Sequence, residues 1–194
     1  MSVNLALWQG LYKSCTDNNM IYSFIQDIYK AIKGKSYITA LSLALCLPDI
    51  CGKAEYPNDK TTSRYKKWYC KYIGEFENPN INDNEHFSYC SANVIYVLRN
   101  NLFHEGNPTI VNCKNIKQFE NQVENQVDHF VLIIDDDMNG GESELTTDCN
   151  NNIKDKALKV NIIHLCWLLC ICAKAYYDNN QEKFDGFFMC ELDF

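Results

Sequence analysis

Arginine is nearly absent from this chain of 194 residues, although lysine is common. Only Arg64 and Arg99 occur among its 18 basic residues, and the formal net charge is −7. Broad, nonspecific nucleic-acid binding needs many phosphate contacts, so this balance argues against a wide basic surface. It still permits a small basic cleft in an acidic shell. Because lysine supplies most of the positive charge, each arginine is more informative than usual.

A hydrophobic run long enough to span a membrane is also missing. The most apolar segment, residues 160–173, lies between two lysines and contains Asn161 and His164. A membrane span needs about 20 apolar residues, so this shorter segment predicts a core helix. The first ten residues lack the basic region and the apolar core of a signal peptide. We therefore expect a cytoplasmic protein without a membrane segment.

The eleven cysteines do not read as a disulfide framework, and no pair of C-x-x-C motifs is present. The alternative is a zinc site made by cysteines of the last apolar run with His164, but the missing pairs favour core packing. Free thiols of this kind fit a reducing cytoplasm. Four cysteines lie inside apolar helical runs, where cysteine behaves as a small hydrophobe: Cys46, Cys166, Cys170 and Cys172.

The apolar periodicity predicts a mainly α protein, a single domain over residues 1–194 built as a bundle of about five helices. The second helix is apolar almost throughout, which places it in the middle of the bundle, and Pro48 is expected to kink it. A polar linker is expected at residues 78–84. The predicted helices span residues 18–34, 36–50, 62–73, 86–104 and 155–177.

A small β addition is expected in the C-terminal half, within an insertion over residues 110–152. Phe130–Ile134 is rich in β-formers, and Asn139-Gly140-Gly141 is a turn signal before residues 142–147. These segments predict a β-hairpin. Residues 184–194 are expected to add a short strand or to pack as a tail.

The end of the fourth predicted helix carries the strongest functional pattern. Arg99 and Asn100 interrupt an apolar run, His104 follows in the last turn, and Gly106 closes the helix. In a regular α-helix, residues 100 and 104 face the same way and residue 99 lies about 100° from residue 100. Histidine transfers protons near neutral pH, and arginine presents a planar fork to phosphate oxygens. The array therefore suits phosphodiester cleavage without a metal ion. The alternative is an arginine paired with a carboxylate and a histidine that caps the helix.

Two further patterns have both a structural and a functional interpretation. Arg64, Lys67 and Lys71 form a basic stripe on the third helix, either a solvated face or an RNA-binding rim with aromatic side chains behind it. Asp135-Asp136-Asp137 forms either a solvated strand end or a cation site, and no further ligand spacing supports a metal. Glycine-rich phosphate loops and the G-x-S-x-G nucleophile turn are absent.

Arg99, Asn100 and His104, after a long apolar helix and before Glu105-Gly106, resemble the signature of the HEPN superfamily. Members of that superfamily are small all-helical domains whose motif is an arginine, usually a polar residue next, and a histidine four to six residues on. The resemblance covers roughly Met20–Pro108 with the last predicted helix. Residues 112–152 have no counterpart in it.

The resemblance implies a metal-independent endoribonuclease, often a toxin or an antiviral effector, that needs no cofactor. The resemblance implies that His104 is the acid and base and that Arg99 binds the scissile phosphate. Asn100 then orients one of these two side chains. Members commonly form homodimers in which two motifs share one cleft, and the partners implied are RNA or a nucleotide and an antitoxin or other protein. Some members are inactive, so the alternative is a non-catalytic module for nucleotide or RNA binding or for dimerisation.

Overall fold

The protein is mainly α, with a small sheet in its C-terminal half. The computed structural model describes residues 3–16, 19–74, 91–106, 110–111, 129–134, 141–147 and 153–185. Its α-helices are α1 (Val3–Lys13), α2 (Met20–Lys33), α3 (Tyr37–Glu55), α4 (Thr61–Tyr69), α5 (Ala92–Asn100) and α6 (Ile162–Asp178). Its strands are β1 (Ile110–Val111), β2 (His129–Ile133), β3 (Gly141–Thr147) and β4 (Ile153–Asn161). Two π-helical turns, Cys70–Gly74 and Asn101–Glu105, extend α4 and α5, and a 3₁₀ turn, Gln181–Phe184, follows α6.

Helix α3 lies at the centre of the bundle, as its apolarity predicts. It packs against α2, α4, α5 and α6, and Ala40, Leu41, Ala44 and Leu45 are completely buried. By length and composition α3 is the one helix among the described residues that could cross a membrane, but half of its apolar window is buried inside the protein. The core helix of a globular bundle gives the same signal, so this is weak support for a span.

The helices predicted from periodicity are largely confirmed. Asn19 caps α2 by accepting the Tyr22 N–H at 3.0 Å, and α3 continues through Pro48 as far as Glu55. The described part of the fourth predicted helix begins at Ala92, while residues 86–90 and the linker at 78–84 lie outside the described residues. Helix α1 was not predicted. Its described side chains include only two buried apolar positions, Trp8 and Leu11, and this makes its helical period weak.

The sheet differs from the predicted hairpin. Both predicted strands exist, as β2 and β3, but the strand order is β1-β2-β4-β3, so β4 lies between them. Strand β4 pairs parallel with β2 and antiparallel with β3. Two consequences overturn the sequence interpretation. Residues 130–134 and 142–147 are not partners of each other, and residues 155–161 form the central strand rather than the start of the last helix.

Asn161 joins the sheet to the bundle. Its backbone is the last residue of β4, where it is the partner of Ile133. Its side chain is completely buried, and its Oδ1 accepts the Ile163 N–H at 3.0 Å, which caps α6. One residue thus ends the strand and starts the helix with no intervening loop.

Glu55, at the C-terminal end of α3, accepts four hydrogen bonds from other elements of the bundle. Its Oε1 accepts from Lys71 Nζ at 2.8 Å and Tyr72 Oη at 3.1 Å, and its Oε2 accepts from Tyr176 Oη at 3.0 Å and from Lys183 Nζ. Burial alone would raise the pKa of Glu55, but the four donors together lower it to about 2. The carboxylate is only 10% exposed, and it connects α3 with the end of α4, with α6 and with the 3₁₀ turn.

We expect Asn161→Ala to lower the free energy of unfolding by about 1–2 kcal/mol, because the first N–H groups of α6 lose their acceptor in a buried place. Asn161→Ser should recover part of the loss, since serine also accepts from a helix N-terminus. Chemical denaturation followed by circular dichroism measures both. Asn19→Ala, at the less buried start of α2, is the matched comparison. A smaller loss at Asn161 than at Asn19 would contradict the junction role.

Glu55 should make stability fall in acid. Because its pKa in the folded protein is about 2, against an ordinary value of 4.5, its contribution is complete above pH 4.5 and is lost as the pH falls toward 2. The full contribution is about 3 kcal/mol. We therefore expect Glu55→Gln to be destabilised at pH 7 and the difference from the parent to shrink near pH 3. Denaturation at both pH values, with Glu105→Gln as the exposed control, checks this, and a difference independent of pH would refute it.

Candidate active site at the end of α5

The local sequence places the motif at a helix end on the protein surface. Ser91 caps α5 by accepting the Val94 N–H at 3.3 Å, and Ile95, Leu98 and Leu102 are buried against the bundle. After Asn100 the helix widens into the π turn, which Gly106 ends with a positive φ of 64°. Arg99, Asn100 and His104 therefore occupy the last two turns, where the buried face gives way to solvent.

Contacts with α4 hold this helix end in place. The Tyr65 ring is buried and meets the Tyr96 ring edge-on at 5.3 Å between centroids. The Tyr96 hydroxyl lies 2.7 Å from Thr62 Oγ1, and the Lys66 ammonium sits 5.2 Å from the Tyr96 ring centroid. These contacts set the distance between α4 and α5.

Arg99 has a carboxylate partner on the central helix. Its Nη2 donates to Asp49 Oδ2 at 3.1 Å. Arg64 donates to Asp49 Oδ1 from Nη2 at 3.1 Å and from Nε at 3.4 Å. The only two arginines of the chain thus share one carboxylate. About one fifth of each side chain is exposed: 22% for Arg99, 19% for Arg64 and 20% for Asp49.

A glycine brings Arg64 close to Asp49. A Cβ atom at Gly52 would lie 2.8 Å from the Arg64 carbonyl oxygen, closer than real Cβ atoms come. The helices α3 and α4 can therefore approach closely only because residue 52 has no side chain. Since Asp49 lies one turn before Gly52, this approach places the Arg64 guanidinium beside its carboxylate.

Asn100 and Phe103 complete the surroundings of the Arg99 guanidinium. Asn100 Oδ1 accepts from Arg99 Nη1 at 3.1 Å, and Arg99 Cζ lies 5.4 Å from the Phe103 ring centroid. The buried Arg99 Nε has no hydrogen-bond partner among the described residues. Of the five guanidinium N–H donors, two are therefore engaged with described side chains.

His104 differs from Arg99 in its surroundings, because its side chain is exposed. Within the described residues it forms no hydrogen bond or ion pair, so it does not cap the helix there. In a regular α-helix residues 99 and 104 would lie about 140° apart around the axis. Hydrogen bonds between residues five apart widen the π turn over Asn101–Glu105. The wider turn has a smaller rotation per residue, so the regular-helix angle between residues 99 and 104 does not apply here.

The basic stripe of α4 is paired with carboxylates. Arg64 contacts Asp49, Lys67 Nζ lies 2.7 Å from Asp59 Oδ2, and Lys71 Nζ lies 2.8 Å from Glu55 Oε1. The hydrogen bond with Asp59 raises the pKa of Lys67. The aromatic residues of the predicted rim are Tyr65, Trp68 and Tyr72. The first two are completely buried, and Tyr72 is partly buried. The stripe therefore offers little free positive charge to a polyanion.

The other sequence candidates lie elsewhere. Residues 135–137 fall outside the described residues, and no group of three potential metal-binding side chains occurs within the described part of the chain. Cys166 and Cys170 are completely buried in α6, and burial raises the pKa of both thiols. A cavity of about 440 Å³ runs along α6 and is lined by none of the motif residues. Its lining comprises Tyr72, Leu168, Ile171, Cys172, Ala175, Tyr176, Asn179 and Asn180.

Sequence reasoning missed Asp49 and Phe103, although each left a signal. Asp49 is the single charged residue between Tyr37 and Gly52, in an otherwise mostly apolar helix, and a buried charge needs a partner. Phe103 is a large apolar residue beside the motif histidine. On a regular helix it lies about 180° from the buried Val94 and about 100° from the buried Leu102, so the spacing also indicates its exposure.

We expect Asp49→Asn to lower the free energy of unfolding by about 2 kcal/mol, because two mostly buried guanidinium groups lose their common counter-charge. Denaturant titration at neutral pH measures the loss. The control is Asp27→Asn, whose carboxylate pairs with Lys30 and is 60% exposed, and it should change stability by less than about 0.5 kcal/mol. Equal effects of the two substitutions would show that the Asp49 pairs contribute no more than a surface ion pair.

No protein-family model, curated protein or solved structure matches this chain. The likeness of the motif to the HEPN signature therefore remains a hypothesis about these three residues.

Proposed function

We propose that the chain is a metal-independent endoribonuclease of the HEPN type, with its site at the end of α5. The observation that carries the proposal is the pairing of an exposed histidine with an oriented arginine in one helix end. His104 is open to solvent, while Asn100 and Asp49 hold the guanidinium of Arg99 in one orientation.

The chemistry uses the nucleophile that RNA itself supplies. The ribose 2′-oxygen attacks the adjacent phosphorus, a bond to the 5′-oxygen of the next nucleotide breaks, and a 2′,3′-cyclic phosphate and a free 5′-hydroxyl result. A neutral imidazole at His104 accepts the 2′-hydroxyl proton, or an imidazolium donates a proton to the leaving oxygen. The Arg99 guanidinium stabilises the charge that grows on the phosphate oxygens. No redox step or metal-bound nucleophile is needed.

A second copy of the chain fits this chemistry. One helix end offers one histidine, whereas cleavage needs a proton acceptor on one side of the phosphate and a donor on the other. A two-fold symmetric homodimer would present two copies of the motif to one RNA strand. Supporting this, His104 is exposed in the single chain.

A second candidate, a non-catalytic module, is favoured by the surroundings of Arg99. The ion cluster of Arg64, Asp49 and Arg99 joins α3, α4 and α5, which is a structural role. The net charge of −7 and the paired stripe on α4 favour this candidate as well. In it the motif holds a nucleotide or an RNA end, or stabilises the helix end, and no strand is cut.

The decisive experiment is cleavage of RNA by purified protein in excess chelator. We expect cleavage that leaves 2′,3′-cyclic phosphate ends, and His104→Ala should reduce its rate by about two to four orders of magnitude. The melting temperature of His104→Ala should equal that of the parent protein, because His104 is exposed. Arg99→Lys should also lose activity, since an ammonium group cannot reproduce the planar fork. Glu105→Ala, an exposed change in the same turn, is the matched control and should stay active.

Two results would overturn the proposal. If the parent protein cleaves RNA only when magnesium is added, and His104→Ala retains that activity, the motif is not the active site. If the parent protein binds RNA without cutting it, and Arg99→Lys changes only stability or affinity, the non-catalytic module is the better description.

A further inference from the structure

Phe103 is far more exposed than the large aromatic residues of the core. Its side chain is 45% exposed, and it is the one aromatic among the large exposed hydrophobic residues of the described chain. By contrast, Trp8, Trp68, Tyr65 and Tyr69 are almost completely buried. Leaving a phenyl ring in water forgoes the stabilisation that its burial would give.

The position of the ring relates it to the motif. Phe103 directly precedes His104 and follows Arg99 by four residues, and its ring centroid lies 5.4 Å from Arg99 Cζ. The guanidinium covers part of the ring, and the remainder faces solvent. An aromatic face and a guanidinium therefore lie side by side next to the exposed histidine.

We propose that Phe103 is a stacking platform for one nucleobase of the RNA, the base that adjoins the phosphate bound by Arg99. This inference rests on the proposed function and adds a base-binding residue to it. Aromatic side chains stack on any base, because every base has a π face, while a neighbouring guanidinium contacts the phosphate. Because Arg99 Cζ lies 5.4 Å from the ring centroid, a base on the exposed part of the ring would lie beside the guanidinium.

The substrate class follows from the geometry of stacking. A base can lie flat on a side chain only after it has left the stack of its own strand, which is easy in single strands and loops and costly in a duplex. A platform at Phe103 therefore requires an unpaired nucleotide, and it gives little preference for base identity at the stacked position.

The test measures binding rather than cleavage, with a single-stranded RNA oligonucleotide made resistant to cleavage by 2′-O-methyl groups. Full-length parent protein should bind it, and Phe103→Ala and Phe103→Leu should both weaken binding by about 10-fold or more, as the loss of one stacked base predicts. Phe103→Trp should retain affinity because it keeps a ring. Ile38→Ala, at another exposed hydrophobic residue (47%), should leave affinity unchanged.

A second arm separates stacking from a general loss of apolar surface. Oligonucleotides with one abasic nucleotide, placed at each position in turn, should include one that binds the parent as weakly as the intact strand binds Phe103→Ala. Phe103→Ala should bind the strand with the abasic nucleotide at that position only slightly more weakly than it binds the intact strand. The same sequence as a duplex should bind the parent weakly.

Each contrary outcome has a distinct meaning. Parent protein that does not bind the oligonucleotide would overturn the proposed function together with the platform. Equal affinity of the parent protein and of Phe103→Ala for the oligonucleotide would overturn the platform alone. Conversion of a dimer to a monomer by Phe103→Ala, seen by light scattering, would show that the ring contacts a second copy and not a base.

Discussion

The carboxylate of Asp49, shared by two guanidinium groups, is the interaction on which the arrangement of the candidate site depends. It lies on the central helix α3, and its two oxygens face Arg64 on α4 and Arg99 on α5. Each partner is about four fifths buried. Removing charges from water is costly, and only close, hydrogen-bonded partners offset the cost. The cluster keeps a net charge of one positive unit, so the Arg99 guanidinium is oriented without being neutralised.

The same helix ends with a second carboxylate, Glu55, which accepts hydrogen bonds from Lys71 after α4 and from Tyr176 on α6. Together with Asp59, these two acidic groups pair every member of the α4 stripe. A face that reads as basic in the sequence is therefore largely neutral in the fold.

The end of α5 combines a rigid part with an open part. Arg99 is held by Asp49 and Asn100, whereas Phe103 and His104 face solvent in the π turn that follows. Extra residues in a helical turn occur frequently at functional sites, because they re-aim side chains that a regular helix would separate. Under the proposed function the rigid part receives the phosphate, and the open part receives a base, a proton or a second chain.

Local sequence determined most of the helices. The cap at Asn19, the apolar face through Ile21, Ile25 and Ile28, and the unbroken apolarity of α3 are local signals, and α2 and α3 follow them. The three motif residues could also be named from the sequence, since residue type and spacing carry their chemistry. These signals act within one or two turns, so they survive whatever the rest of the chain does.

Only the tertiary structure decided the features that depend on distant partners. Residues 155–161 become a central strand because β2 and β3 supply hydrogen bonds on both sides, which overrides the local preference. Arg99 finds its carboxylate 50 residues away in the chain. Periodicity describes which side of a helix is apolar, but it cannot say which charged group waits on the neighbouring helix, because that depends on how the helices pack.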